Sequence, residues 1–206
     1  MQAGRWRNRL RRGSTVMEVM MAIAVFSIGV TGVISLQKVV LANNRNASSM
    51  AVAGEIAKSW IERLKGESLL WNYPSDGEAA SDLETDTEWL AKIEQGFEGK
   101  WFRPRNDEEC GTHDAFGQVQ PCGNSEAPSG PFCVNLRLRW LRDTKDLILG
   151  EVRVYWLFRN DTDSGIPTDL LPCGSATSPP DVRDLADKGI MRMVYTSTAL
   201  LKNGAR

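Results

Sequence analysis

Nineteen consecutive residues of this 206-residue chain, Val19 to Gln37, carry no charge, and no proline interrupts Ser14 to Lys65. A helix over Ser14–Lys65 would hold 52 residues and measure ~78 Å. Such an element exceeds the core that a chain of this size can build around it. Its first half needs lipid or other subunits, and its second half needs a head to pack against. Of the 23 residues from Ser14 to Leu36, 15 are apolar, and about 20 helical residues cross a ~30 Å hydrocarbon core. Five arginines precede the span (Arg5, Arg7, Arg9, Arg11 and Arg12) with no acid among them. Basic residues stay on the cytoplasmic side, so the remainder of the chain is sent outward.

A plain signal anchor would share these features. So would a cleaved secretory signal peptide with Val40-Leu41-Ala42 as its small-residue site, although ~7–15 apolar residues suffice for that purpose. A buried core helix is disfavoured by the basic flank and the length. None of the three accounts for Glu18. A carboxylate in the first turn of a membrane helix costs ~2–4 kcal/mol depending on depth, and it implies a partner. A cut between Gly13 and Ser14 would place a new α-amino group one helical turn from Glu18, on the same chain or a neighbour.

The sequence Arg11-Arg12-Gly13, then Ser14-Thr15-Val16-Met17-Glu18, then an apolar run, resembles the prepilin signature of type IV pilins and type II secretion pseudopilins. The resemblance implies cleavage after Gly13 by a prepilin peptidase of the inner membrane and methylation of Ser14. It also implies that Glu18 sets subunit register through a neighbour's N-terminal amine. The family usually carries Phe where this chain has Ser14. Major pilins commonly place a proline in the second half of the helix, whereas this chain has only Gly29 and Gly32 to loosen it.

Removing the five leader arginines leaves 20 basic against 26 acidic residues, a formal charge of −6. A mildly acidic head has no general attraction for phosphate backbones, so no nucleic-acid partner is expected. The four cysteines, Cys110, Cys122, Cys133 and Cys173, form no CxxC pair, and His113 is the single histidine. Zinc sites usually show close paired ligands. An even cysteine count behind an export signal favours disulfides. Four cysteines allow three pairings, of which Cys110–Cys122 with Cys133–Cys173 is preferred.

Beyond Gln37 the pattern turns amphipathic. Met50, Ala53, Ala57, Trp60, Ile61 and Leu64 share one helical face, and Gly66 is the expected stop. Residues 67 to 131 read as irregular, with a short helix near Glu84–Gln95. Val134, Leu136, Leu138 and Trp140 alternate with Asn135, Arg137 and Arg139; Val152, Val154, Trp156 and Phe158 alternate with Glu151, Arg153 and Tyr155. Two such runs around Asp143–Asp146 predict an antiparallel hairpin with one wet face. Gly150 marks a bulge or close approach. A last strand is expected over Gly189–Leu200, after a long loop.

Other motifs carry little chemistry. His113 with Asp114 and Cys110 lacks a second base, and a half-cystine is no nucleophile. Asp161–Gly165 has Pro172 where a calcium loop needs Glu. Arg137, Arg139 and Arg153 form a stripe that is either a solvated face paired with Glu151 or an inter-subunit contact. Trp71 and Trp101 are candidate interface anchors.

The expected fold is α+β: a long N-terminal helix, membrane-spanning in its first half and amphipathic in its second, packed on a small antiparallel sheet as in the pilin head. The expected segments are a leader at 1–13, a membrane or filament-core helix at 14–36, an amphipathic half at 37–66 and a periplasmic or extracellular head at 67–206. The Arg-rich hairpin and the Trp-bearing helix are similar to the minor-pilin subfamily that includes the type II secretion I-type pseudopilin. The resemblance implies a minor pilin that primes assembly at or near the filament tip, with a type II pseudopilin as the alternative. A membrane-anchored binding module that never polymerises is the third reading. The implied partners are prepilin peptidase, other minor pilins, the major pilin, the inner-membrane assembly platform and, as a further candidate, a tip adhesin. No enzymatic activity, cofactor or metal is expected. The protein would sit in the inner membrane with its head in the periplasm before joining a surface filament.

Overall fold

The computed structural model describes residues 16–73, 82–121, 130–158, 173 and 181–202. Packing divides the chain into two units, Met1–Arg45 and Asn46–Arg206. The described part of the first unit is helical throughout.

Helix α1 spans Val16–Asn72, 57 residues. It passes the expected stop at Gly66, where an added side chain would meet nothing within 4 Å. The extra turns are rewarded by contacts that composition does not advertise. Trp71 is buried and packs on Trp140, ring centroids 6.0 Å apart. Asn72 donates from Nδ2 to the Leu201 carbonyl at 3.1 Å. Trp71 is therefore a core residue on a helix and not an anchor on an irregular segment. The buried face of α1 comprises Ala53, Ile56, Ala57, Trp60, Ile61 and Leu64. Met50, expected on that face, is exposed.

The second unit carries an antiparallel sheet of five strands in the order β2-β1-β3-β4-β5. The strands are β1 (Glu109–His113), β2 (Val119–Pro121), β3 (Phe132–Trp140), β4 (Leu147–Leu157) and β5 (Met191–Leu201). The expected hairpin is β3–β4, with Val134 opposite Val154, Leu136 opposite Val152 and Trp140 opposite Ile148. Those side chains and the α1 face form one core with Trp89, Leu90, Phe102 and Leu200. The α+β arrangement of a long helix on an antiparallel sheet is thus present.

Four features differ from expectation. The region read as irregular contains β1 and β2, joined by a turn in which Asp114 Oδ1 accepts the Phe116 and Gln118 N–H groups. The single helix expected near Glu84–Gln95 is split into α2 (Leu83–Asp86) and a 3-10 turn at Leu90–Ile93. The break is at Thr87, whose backbone is extended. The loop before β5 contains α3 (Val182–Asp187), capped by Asp181, which accepts the Arg183 and Asp184 N–H groups. Last, the outer sheet face is wet only in part. Cys133, Tyr155, Cys173, Val182 and Met191 form a second, smaller apolar cluster there, tied by the Cys133–Cys173 disulfide with Cα atoms 5.2 Å apart. The Tyr155 hydroxyl donates to the Cys173 carbonyl at 3.2 Å.

Candidate functional site

The candidate site in the first unit is the helix itself. Every described residue from Val16 to Arg45 is exposed in the isolated chain, including Val16 at 78% and Phe26 at 72%. An exposed surface that is uncharged and mostly apolar from Val19 to Gln37 marks contact with lipid or protein. Among the described residues this is the one helix long and apolar enough to cross a membrane. Glu18 lies in its first turn, where the unpaired backbone N–H groups favour negative charge.

The three hydroxyls of the span are paired locally. Ser27 Oγ donates to the Ile23 carbonyl at 2.7 Å, Thr31 Oγ1 to the Ser27 carbonyl at 2.5 Å, and Ser35 Oγ to the Thr31 carbonyl at 3.0 Å. Each hydroxyl thereby has its donor met within the helix, as an apolar environment would require. Gly29 and Gly32 sit in the regular helix with nothing within 4 Å of an added side chain.

In the second unit, a charged cluster lies on the outer sheet face. Strand pairing sets Arg137 opposite Glu151 and Arg153 opposite Tyr195. Glu151, 2% exposed, receives Arg137 Nε at 2.6 Å and Nη2 at 2.7 Å, and pairs with Arg139 Nε at 3.2 Å. The Tyr195 hydroxyl donates to its second oxygen. Burial would raise the Glu151 pKa, but the hydrogen bonds from Arg137 and Tyr195 and the two arginine charges hold it below the usual carboxylate value. Arg153 departs from the expected solvated stripe. It is buried, donates from Nε to Asn135 Oδ1 at 3.0 Å, and burial lowers its pKa to about 10. The Arg137 and Arg153 guanidiniums lie 4.5 and 4.3 Å from the Trp101 ring centroid. Trp101 therefore organises arginines on the sheet, a role that its irregular sequence context gave no sign of. Glu67 likewise has a role that its sequence context does not signal. Its carboxylate accepts the Trp89 and Leu90 N–H groups at 3.0 and 2.8 Å, fastening the 3-10 turn to α1.

The remaining expected sites fall as follows. Gly13, Ser14, Cys122 and Asp161–Gly165 lie outside the described residues. Cys133 and Cys173 are bonded to each other, the preferred pairing for those two. Cys110 is also disulfide-bonded. His113 is buried, its Nδ1 has no hydrogen-bond partner among the described residues, and burial pushes its pKa down to about 4. Asp114 is held by the backbone of its own turn. Among the described residues no group of three or more His, Cys, Asp or Glu side chains could hold a metal ion. No protein-family model, curated protein or solved structure matches the chain.

Proposed function

We propose that this chain is a structural subunit of a type IV pilus, a minor pilin that primes assembly at or near the filament tip. One observation carries the reading: a helix with a nineteen-residue uncharged span begins with an acid, Glu18, and its described residues to Arg45 are all left exposed by the chain's own fold. A surface of that length needs an apolar environment on all sides. A membrane supplies it to a monomer, and neighbouring helices supply it in a filament core. In this reading the helix holds the subunit in the inner membrane with its head in the periplasm. Prepilin peptidase cuts after Gly13 and methylates Ser14. Glu18 then pairs with a neighbouring subunit's N-terminal amine as the helix moves from lipid into the core.

Two measurements test this. Mass spectrometry of the protein purified from the cell envelope should find Ser14 as the first residue, and retention of Met1–Gly13 would refute the reading. Glu18→Ala should leave cleavage intact but reduce co-purification with other pilins at least tenfold. Unchanged incorporation would refute the register role and favour a membrane-anchored module. Loss of protein secretion with intact surface pili in a deletion strain would assign the chain to a type II pseudopilin assembly instead.

A further inference from the structure

The outer face of β3–β5 presents cations whose neutralisation is incomplete. Arg137 and Arg139 share the single carboxylate of Glu151. One oxygen of that carboxylate accepts Arg137 Nε and lies 3.2 Å from Arg139 Nε, and the other accepts Arg137 Nη2 and the Tyr195 hydroxyl. One positive charge is left over. Arg139 is held through Nε alone, with its side chain 45% exposed. Its two terminal nitrogens have no hydrogen-bond partner among the described residues. A planar guanidinium with its terminal N–H groups open matches a carboxylate in bidentate geometry.

The patch is also ordered before any ligand arrives. Glu151 is buried, and Arg137 is stacked over Trp101, so the groups beside Arg139 lose little side-chain freedom on contact. Its margin is apolar. The pleat puts Tyr195, Ser197 and Ala199 of β5 on the face shared with Arg153, Glu151 and Leu149 of β4, and Tyr195 is 51% exposed. A charged centre with an aromatic flank fits a protein surface better than a free inorganic anion, which has nothing to place on the tyrosine.

We propose that this face is a docking surface for an acidic protein partner, whose carboxylate is received by the open terminus of Arg139 beside Arg137 and whose neighbouring apolar group lies on Tyr195. The patch belongs wholly to the second unit, so the inference is independent of the filament reading.

The test uses the full chain in detergent micelles and a fluorescent hexaglutamate peptide as probe, read by anisotropy at low salt. Saturable binding is expected. Arg139→Gln should weaken it at least tenfold, and Arg139→Lys, which keeps the charge and removes the fork, at least threefold. Arg142→Gln serves as the control, because Arg142 is a surface arginine near the same hairpin end that is already paired with Asp146. It should lose less than twofold. Melting curves should show all three variants folded. Equal losses in the Arg139 and Arg142 variants, or no saturable binding, would overturn the proposal. So would displacement of the peptide by inorganic phosphate at equal anion concentration. Concentration-dependent self-association that Arg139→Gln abolishes would overturn the choice of partner and assign the face to a second copy of the chain.

Discussion

Gly150 of β4 faces Leu64 of α1 so closely that a Cβ built on the glycine would lie 3.2 Å from Leu64 Cδ1. This is where helix and sheet approach most tightly among the glycine positions of the strands, and it explains why a strand of bulky residues tolerates a gap opposite Leu138. Gly150→Ala should cost about 1 kcal/mol, because the leucine end can shift, and Gly150→Val should cost about 3 kcal/mol. Gly111→Ala should be worse than Gly150→Ala. Gly111 has φ +64°, and its Cβ would meet the Pro104 carbonyl oxygen at 2.7 Å. Urea midpoints of the three variants give the ranking.

His113 makes the head acid-sensitive. Burial lowers its pKa from 6.5 to about 4, so the folded state favours the neutral ring. The contribution to stability is present above the unfolded pKa and is lost as pH falls toward the folded one. The loss between pH 7 and pH 4 is about 3 kcal/mol. Unfolding free energies of wild type and His113→Phe, compared at both pH values, should differ by that amount in their pH dependence. A parallel decline in the two proteins would show that His113 is not responsible.

Glu67 should act as an acceptor more than as a charge. Burial raises its pKa, against the lowering effect of the Leu90 and Trp89 N–H groups. Glu67→Gln retains an acceptor oxygen and should cost under about 1 kcal/mol, whereas Glu67→Ala strands two donors and should cost about 2–3 kcal/mol. Trp89 meets Trp60 edge-on at 5.5 Å, so tryptophan emission should shift in the alanine variant and stay unchanged in the glutamine variant.

The Cys133–Cys173 bridge closes a loop with sequence separation 40, which is worth roughly 4 kcal/mol in the chain-entropy account. The Cys133→Ser, Cys173→Ser double variant should lose about that much stability. Amide exchange should accelerate first around Tyr155 and Met191, whose cluster the bridge ties down. Uniform acceleration across β3 and α1 would contradict this local role.

The β3–β4 hairpin was legible because apolar residues alternate along one face, interrupted in β4 only at Gly150, and α1 because its uncharged span admits few alternatives. The end of α1 was not. Gly66 looks like a stop, and only the tertiary contacts of Trp71, Glu67 and Asn72 carry the helix onward. The β1–β2 pair left no trace because Gly111, Thr112 and His113 show no apolar alternation, and their pairing comes from the edge of β3. The second apolar cluster was hidden for a different reason. Cys133, Tyr155 and Met191 become one surface only after the disulfide and α3 are in place. Of the candidate site, Glu18 was visible as an isolated acid in an apolar context. Trp101 was visible only as a residue, since what matters is which arginines the sheet register delivers to its ring.

The hydroxyls of Ser27, Thr31 and Ser35 are each committed to a carbonyl one turn back. Between Ser27 and Ser35 the helix surface is therefore chemically indifferent to what surrounds it: lipid chains or the side chains of neighbouring helices would meet the same closed set of hydroxyl donors. A transfer between those two surroundings would break and make no hydrogen bond along this stretch. The choice between them would be decided by shape at the glycines and by the single acid at the helix start.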